Sequence, residues 1–292
     1  MRRSILIASV VTLCVTGCSR GPKLWVGSKT FTEQVILGEI LAQHLEQRLG
    51  QPVGRRLNLG GTLLAHQGLV SGSIDLYPEY TGTALVAILK LPSTSESAAA
   101  LARVREEYRR RWQVEWVAPL GFSNTYTLVV RGEEARARKF QTISDAVRRD
   151  SPWTLGAQYE FALREDGLPG LMKAYGLPVK GPPVTMHYGL LYRALDQRSV
   201  DMIATNSTDG LLSSMDVKPL IDDKKYFPPY DAAIAVRSQT LQSYPGLLTA
   251  LEALRGKITN EMMQRLNYEV DGKHRMPAEV ASEFLRNAQK DQ

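Results

Sequence analysis

A β-α rhythm that runs, breaks once and resumes is the feature that most constrains this chain. "KLWVGS" reads as a first strand. "TFTEQVILGEILAQHLEQRLG" follows with apolar residues at helical spacing, namely Val35, Ile36, Ile40, Leu41, Leu45 and Leu49. Thr30 and Glu33 have the spacing of a capping box, and Gly50 stands where a helix end favours glycine. "VGRRLNLG" predicts a second strand, "GGTLLAHQGLVSG" a short helix with Thr62 as its N-cap, and "SIDLY" a third strand. This order predicts a parallel sheet covered by helices. Near "PLGFSNTYTLVVR" the rhythm yields to an extended crossing, after which a second α/β unit occupies 122–229. "YDAAIAVRS" then returns as a strand, and the remainder carries helix-period apolar faces, with Pro245 early in "TLQSYPGLLTALEALRGK". The expected organisation is one lobe from 18–121 plus 230–292, with a second lobe, 122–229, inserted into it. Two crossings between lobes predict a hinge and a ligand cleft.

The N-terminus has its own logic. "MRR" precedes the apolar run "SILIASVVTLCV", too short for an ordinary membrane span and patterned as a secretory leader over 1–17. The run ends in "VTGC", which resembles the lipobox of bacterial lipoproteins, with Val15 where leucine is more usual. That resemblance implies cleavage before Cys18 and acylation of its thiol and amine. Cys14 would leave with the leader, so Cys18 has no partner for an intrachain disulfide. The expected location is outside the cytoplasm, lipid-anchored to a membrane. The formal charge is +6, and +4 once Arg2 and Arg3 are removed. The basic residues are mixed with acids even in "REEYRRRW", so that cluster predicts a solvated helix face and nucleic acid is set aside as a partner.

Catalysis finds little support. His44, His66, His187 and His274 form no metal-binding spacing. His44 is expected at a surface or boundary, and His66 reads as structural although within reach of the cleft. "GSK" lacks the spacing of a phosphate loop, "NLGGT" lacks the strand–GxGxxG–helix setting, and no GxSxG elbow occurs. The expectation is a non-enzyme without cofactor or metal.

Binding chemistry, by contrast, collects at strand ends beside the expected cleft. Lys29 follows the first strand; Tyr80 and Thr83 close "DLYPEYTGT"; Tyr126 sits in the first crossing; Arg164 lies in "REDGLPG" and Tyr230 opens the second crossing. Aromatic faces attract a quaternary ammonium, while lysine, arginine, hydroxyls and helix N-termini hold a carboxylate. Tyr77 and Glu79 read as structural, with Glu79 as ready to face solvent as not. Each residue alone is equally an ordinary strand-end side chain.

Taken together, "VGSKTFTEQVILGEI", "NLGGT", "DLYPEYTGT", "REDGLPGL", "STDG" and "FPPYDAA" resemble the signature blocks of the glycine betaine/carnitine/choline family of substrate-binding lipoproteins. The blocks run in order along nearly the whole chain after the leader. The resemblance implies a type II periplasmic-binding fold that closes two lobes on ligand. It also implies a monomer delivering its solute to an ABC permease driven by a separate ATPase. Tyrosines from both lobes would box a trimethylammonium, here Tyr80, Tyr126 and Tyr230, with Lys29, Thr83 and Arg164 for the carboxylate. Asn206 departs from the family pattern, standing before "STDG" where a tyrosine is usual. The expected ligand is therefore a quaternary amine with an extra polar group, or a betaine bound more weakly. Ergothioneine, an amino acid, and a solute sensor uncoupled from transport stay open as alternatives.

Overall fold

The computed structural model describes residues 24–290, so the leader and Cys18 lie outside the described residues. In chain order the strands are β1 (Leu24–Gly27), β2 (Val53–Arg56), β3 (Leu76–Tyr80), β4 (Val114–Val117), β5 (Tyr126–Arg131), β6 (Leu155–Ala157), β7 (Val184–Thr185), β8 (Met202–Asn206), β9 (Val217–Pro219) and β10 (Ala232–Arg237). They form two sheets of the same design, β2-β1-β3-β10-β4 and β7-β6-β8-β5-β9. In the first, β1 is parallel to β2 and β3, whereas β10 runs antiparallel to β3 and β4. In the second, β6 is parallel to β7 and β8, whereas β5 runs antiparallel to β8 and β9.

Both sheets are mixed rather than parallel, and the connectivity explains why. The chain leaves the first sheet after β4 and enters the second as β5; it leaves after β9 and re-enters the first as β10. Each visiting strand arrives from the opposite side of the cleft, so it runs against its hosts.

Local sequence fixes the helices that cover these sheets. The Thr32–Leu49 helix buries Ile36, Leu37, Ile40, Leu41 and Leu45 against the first sheet. Burying one such side chain contributes about 1.5–3 kcal/mol. Gly50 ends this helix in the left-handed region at φ 63° and donates to the Glu46 carbonyl, as its position predicts. The "REEYRRRW" helix face is solvated as expected: Arg109 and Arg110 are exposed and paired with Glu115 and Glu107. No described helix is long and apolar enough to cross a membrane.

Several local expectations give way to tertiary partners. The first helix starts at Thr32 with Phe31 as N-cap and no side-chain cap, because Glu33 turns into the interior. Thr62 is the first helical residue and Gly61 the N-cap. "TLQSYPGLLTALEALRGK" makes two helices, Ser238–Ser243 and Leu247–Glu252. Tyr244 is extended ahead of Pro245, and Gly246 has φ 85°, so the ladder cannot continue. His44 is buried rather than at the boundary, and its Nε2 donates to the Ala250 carbonyl at 2.8 Å. His66 packs edge-on against Tyr108 and Trp112 in the core of the first lobe, where burial pulls its pKa down to about 4.

Candidate functional site

The sheet design brings the chemistry together. Tyr80, the last residue of β3, pairs with Ala232 of β10, two residues beyond Tyr230. Tyr126, the first residue of β5, pairs with Asn206, the last of β8. Each lobe thus presents a strand end and the neighbouring strand start to the gap between the sheets, the usual place for a ligand crevice in α/β folds. One cavity is lined by Lys29, Tyr80, Thr83, Tyr126, Arg164, Asn206 and Tyr230 together.

Its walls are aromatic on both sides. In the first lobe Phe31 stacks on Tyr80 with ring centroids 6.3 Å apart, and Phe31 also meets Tyr188 of the second lobe at 5.9 Å. Opposite, Tyr126 meets Tyr230 edge-on at 5.6 Å and is backed by Phe161 at 4.9 Å and Phe227 at 5.8 Å. Phe31 and Tyr188 line the cavity as well, and sequence reasoning missed both. Phe31 had a signal, two residues after Lys29 in "SKTF". Tyr188, at a helix start eighteen residues before Asn206, had none short of the fold. Burial raises the Tyr188 phenol well above 10, and a hydrogen bond with Asn206 opposes part of that rise.

The two cations of the site are already matched. Lys29 Nζ lies 2.6 Å from Glu79 Oε1, with both side chains almost sealed from solvent, and 4.8 Å from the Tyr80 ring centre. Glu79 also accepts from the Tyr77 hydroxyl at 3.1 Å and the Tyr80 N–H at 2.8 Å. It is fully buried, which corrects the solvent-facing alternative. Arg164 forks onto Asp166, with Nε 2.8 Å from Oδ1 and Nη2 on Oδ2, and Tyr230 donates its hydroxyl to that same Oδ2 at 2.7 Å. Both Nη atoms of Arg164 lie 3.5 Å from Thr83 Oγ1 across the cleft. Burial opposes the Arg164 charge, but Tyr126 and Asp166 outweigh it and hold its pKa above the ordinary guanidinium range. Burial pushes the Tyr126 phenol up to about 12.

Behind the cavity a carboxylate ties residues of both sheets and the first crossing together. Glu33 Oε1 accepts from the Tyr80 hydroxyl at 2.5 Å and Asn124 Nδ2 at 2.8 Å. Its Oε2 accepts from Thr208 Oγ1 at 2.5 Å and Asn267 Nδ2 at 3.2 Å. Burial raises the Glu33 pKa, opposed by these four hydrogen bonds. At the front, Glu160 of the second lobe reaches across to the helix Thr62–Val70 of the first. Its Oε1 accepts from the Thr62 N–H at 2.6 Å and its Oε2 from Thr62 Oγ1 at 2.9 Å. Gly61 makes room for this, since a Cβ there would stand 2.3 Å from Glu160 Oε1.

The chain is similar to known proteins over nearly its whole length. The chain is 36% identical over 282 residues to the ergothioneine transport permease/ergothioneine binding protein of Helicobacter pylori, covering 96% of this chain but only 50% of that longer protein. It is 36% identical over 285 residues to the carnitine transport binding protein OpuCC of Listeria monocytogenes, covering 97% and 92% of the two chains. A solved structure of a glycine betaine/carnitine/choline ABC transporter protein superposes with a TM-score of 0.77 at 32% identity, covering 91% of this chain and 98% of that one. The family model for the substrate-binding domain of ABC-type glycine betaine transport systems matches residues 22–287, and the chain belongs to that family.

Proposed function

We propose that the cavity captures a quaternary-ammonium solute outside the cytoplasm and that lobe closure delivers it to a membrane permease served by a separate ATPase. The observation that carries this reading is the pair of aromatic walls, Phe31 and Tyr80 from one lobe facing Tyr126 and Tyr188 from the other. Each ring beside a methylated ammonium contributes about 0.5–2 kcal/mol, more where water is excluded. Thr83 and Asn206 meet the polar end of the solute, with Lys29 and Arg164 behind them. The chain acts as a binding protein rather than an enzyme, and family membership supports this. The leader and "VTGC" support anchoring through Cys18. A second reading, a larger betaine with ring N–H groups such as ergothioneine, draws support from the Asn206 amide in the wall and from the name of the Helicobacter pylori relative.

A thermal-shift panel tests the proposal. A ligand at a hundred times its dissociation constant adds about 2.7 kcal/mol, which raises the melting temperature of a chain this size by roughly 5–10 °C. The shift should appear with some of glycine betaine, choline, carnitine and ergothioneine, and not with ordinary amino acids. A shift with an ordinary amino acid alone would overturn the proposal.

A further inference from the structure

The tyrosines of the cavity wall differ in what holds their hydroxyls. Tyr80 donates to Glu33 Oε1 at 2.5 Å, and Tyr230 donates to Asp166 Oδ2 at 2.7 Å. The Tyr126 hydroxyl has no direct hydrogen-bond partner among the described residues. Asp166 also takes the fork of Arg164, which offsets its charge. Glu33 has no such offset, because its other partners, Asn124, Thr208 and Asn267, are neutral donors. Four donors around two oxygens are the setting of an ionised carboxylate, and this one is buried.

A phenol that gives a short hydrogen bond to an anion moves electron density from the O–H bond toward its oxygen and ring. An aromatic ring holds a cation by its negative face, so a richer ring holds it more tightly. Burial keeps the Glu33 charge from being screened. A cation already rests on this ring: Lys29 Nζ lies 4.8 Å from its centre, with its own charge offset by Glu79 at 2.6 Å. The Tyr80 hydroxyl is spent on Glu33, which leaves the ring as the part of Tyr80 that serves the cavity.

We infer that Glu33 is a positioning residue for ligand capture that works through Tyr80, enriching its ring so that it favours a quaternary ammonium over an uncharged group of the same shape. The inference rests on the quaternary-ammonium reading above. The probes are choline and glycine betaine, each paired with the analogue in which a tert-butyl group replaces the trimethylammonium. Shape and the far end of the molecule are then constant, and only the cationic charge differs. Calorimetric titration of the intact protein, with displacement for the weaker member, gives the preference for the charged member of each pair.

That preference should shrink about fivefold in Tyr80→Phe and about as much in Glu33→Gln. The double variant should lose no more than either alone, and Tyr126→Phe should move the preference less than Tyr80→Phe does. A contact that only supported the wall would weaken both members of a pair together. A wild-type preference retained in Tyr80→Phe would therefore overturn the inference, whether or not Glu33→Gln folds, and would leave the quaternary-ammonium reading intact. A further loss on adding Glu33→Gln to Tyr80→Phe would overturn it too, since Glu33 would then act on the ligand directly and not through the ring. If neither choline nor glycine betaine bound at millimolar concentration, the quaternary-ammonium reading would fall and this inference with it.

Discussion

Replacing Glu33 with alanine is expected to cost about 3 kcal/mol of stability, because each buried polar group left without a partner costs roughly 1–3 kcal/mol and water can repair only some of them. The carboxylate accepts from Tyr80, Asn124, Thr208 and Asn267. Those donors belong to β3, the first crossing, the segment just past β8, and the helix Asn260–Asp271. The two amides can only donate through nitrogen, so the arrangement fits an acceptor with two oxygens and nothing smaller. In a chain of this size the loss corresponds to a melting temperature roughly 6–12 °C lower. Differential scanning calorimetry reads it directly. A Glu33→Ala protein melting within 2 °C of wild type would show that the four donors find other partners without cost.

The second large effect concerns Tyr126. Among the described residues none makes a direct hydrogen bond to its hydroxyl, whereas its ring touches Phe161, Phe227 and Tyr230 and faces the cavity. Tyr126→Phe should therefore change the affinity for a quaternary ammonium by less than about threefold. Tyr126→Ala removes a ring contributing about 0.5–2 kcal/mol and unpacks Tyr230 beside it, so affinity should fall about tenfold or more. Titration of both variants with the best ligand of the panel separates ring from hydroxyl. If phenylalanine weakened binding as much as alanine, the hydroxyl would be the working group and the wall would not act through its π face.

What was legible in the sequence was what is local. The apolar period of Thr32–Leu49 and the glycine at its end are set by neighbours a few residues away. The tyrosines at strand ends could be collected because a strand ending before a helix places its last residues at the cleft. β4 and β9 went unread: β4 follows the Ser97–Trp112 helix after the single residue Gln113, and β9 is three residues long and ends in proline.

The capping-box spacing of Thr30 and Glu33 misled for a physical reason. The local cap was outcompeted by four donors, the farthest of them 234 residues away in sequence. Glu79 misled similarly. Strand alternation puts it on the face opposite Tyr80, but that face is covered too, so the side chain meets Lys29 instead of water. Asp166 and Tyr188 acquire their places only when the second lobe folds against the first, and no spacing within either segment announces that.

The central claim is that the walls select a methylated cation, and the most direct measurement compares ligands that differ only in methylation. Calorimetric titration of the intact protein with choline and ethanolamine holds charge and hydroxyl constant while removing three methyl groups. Three buried methyls at about 0.8 kcal/mol each amount to roughly 2.4 kcal/mol, before any gain from the rings. The account therefore predicts that choline binds about fiftyfold tighter or more. Ethanolamine binding as tightly as choline would contradict it, since the cavity would then be reading the charge and the hydroxyl and not the methylated surface its aromatic walls enclose.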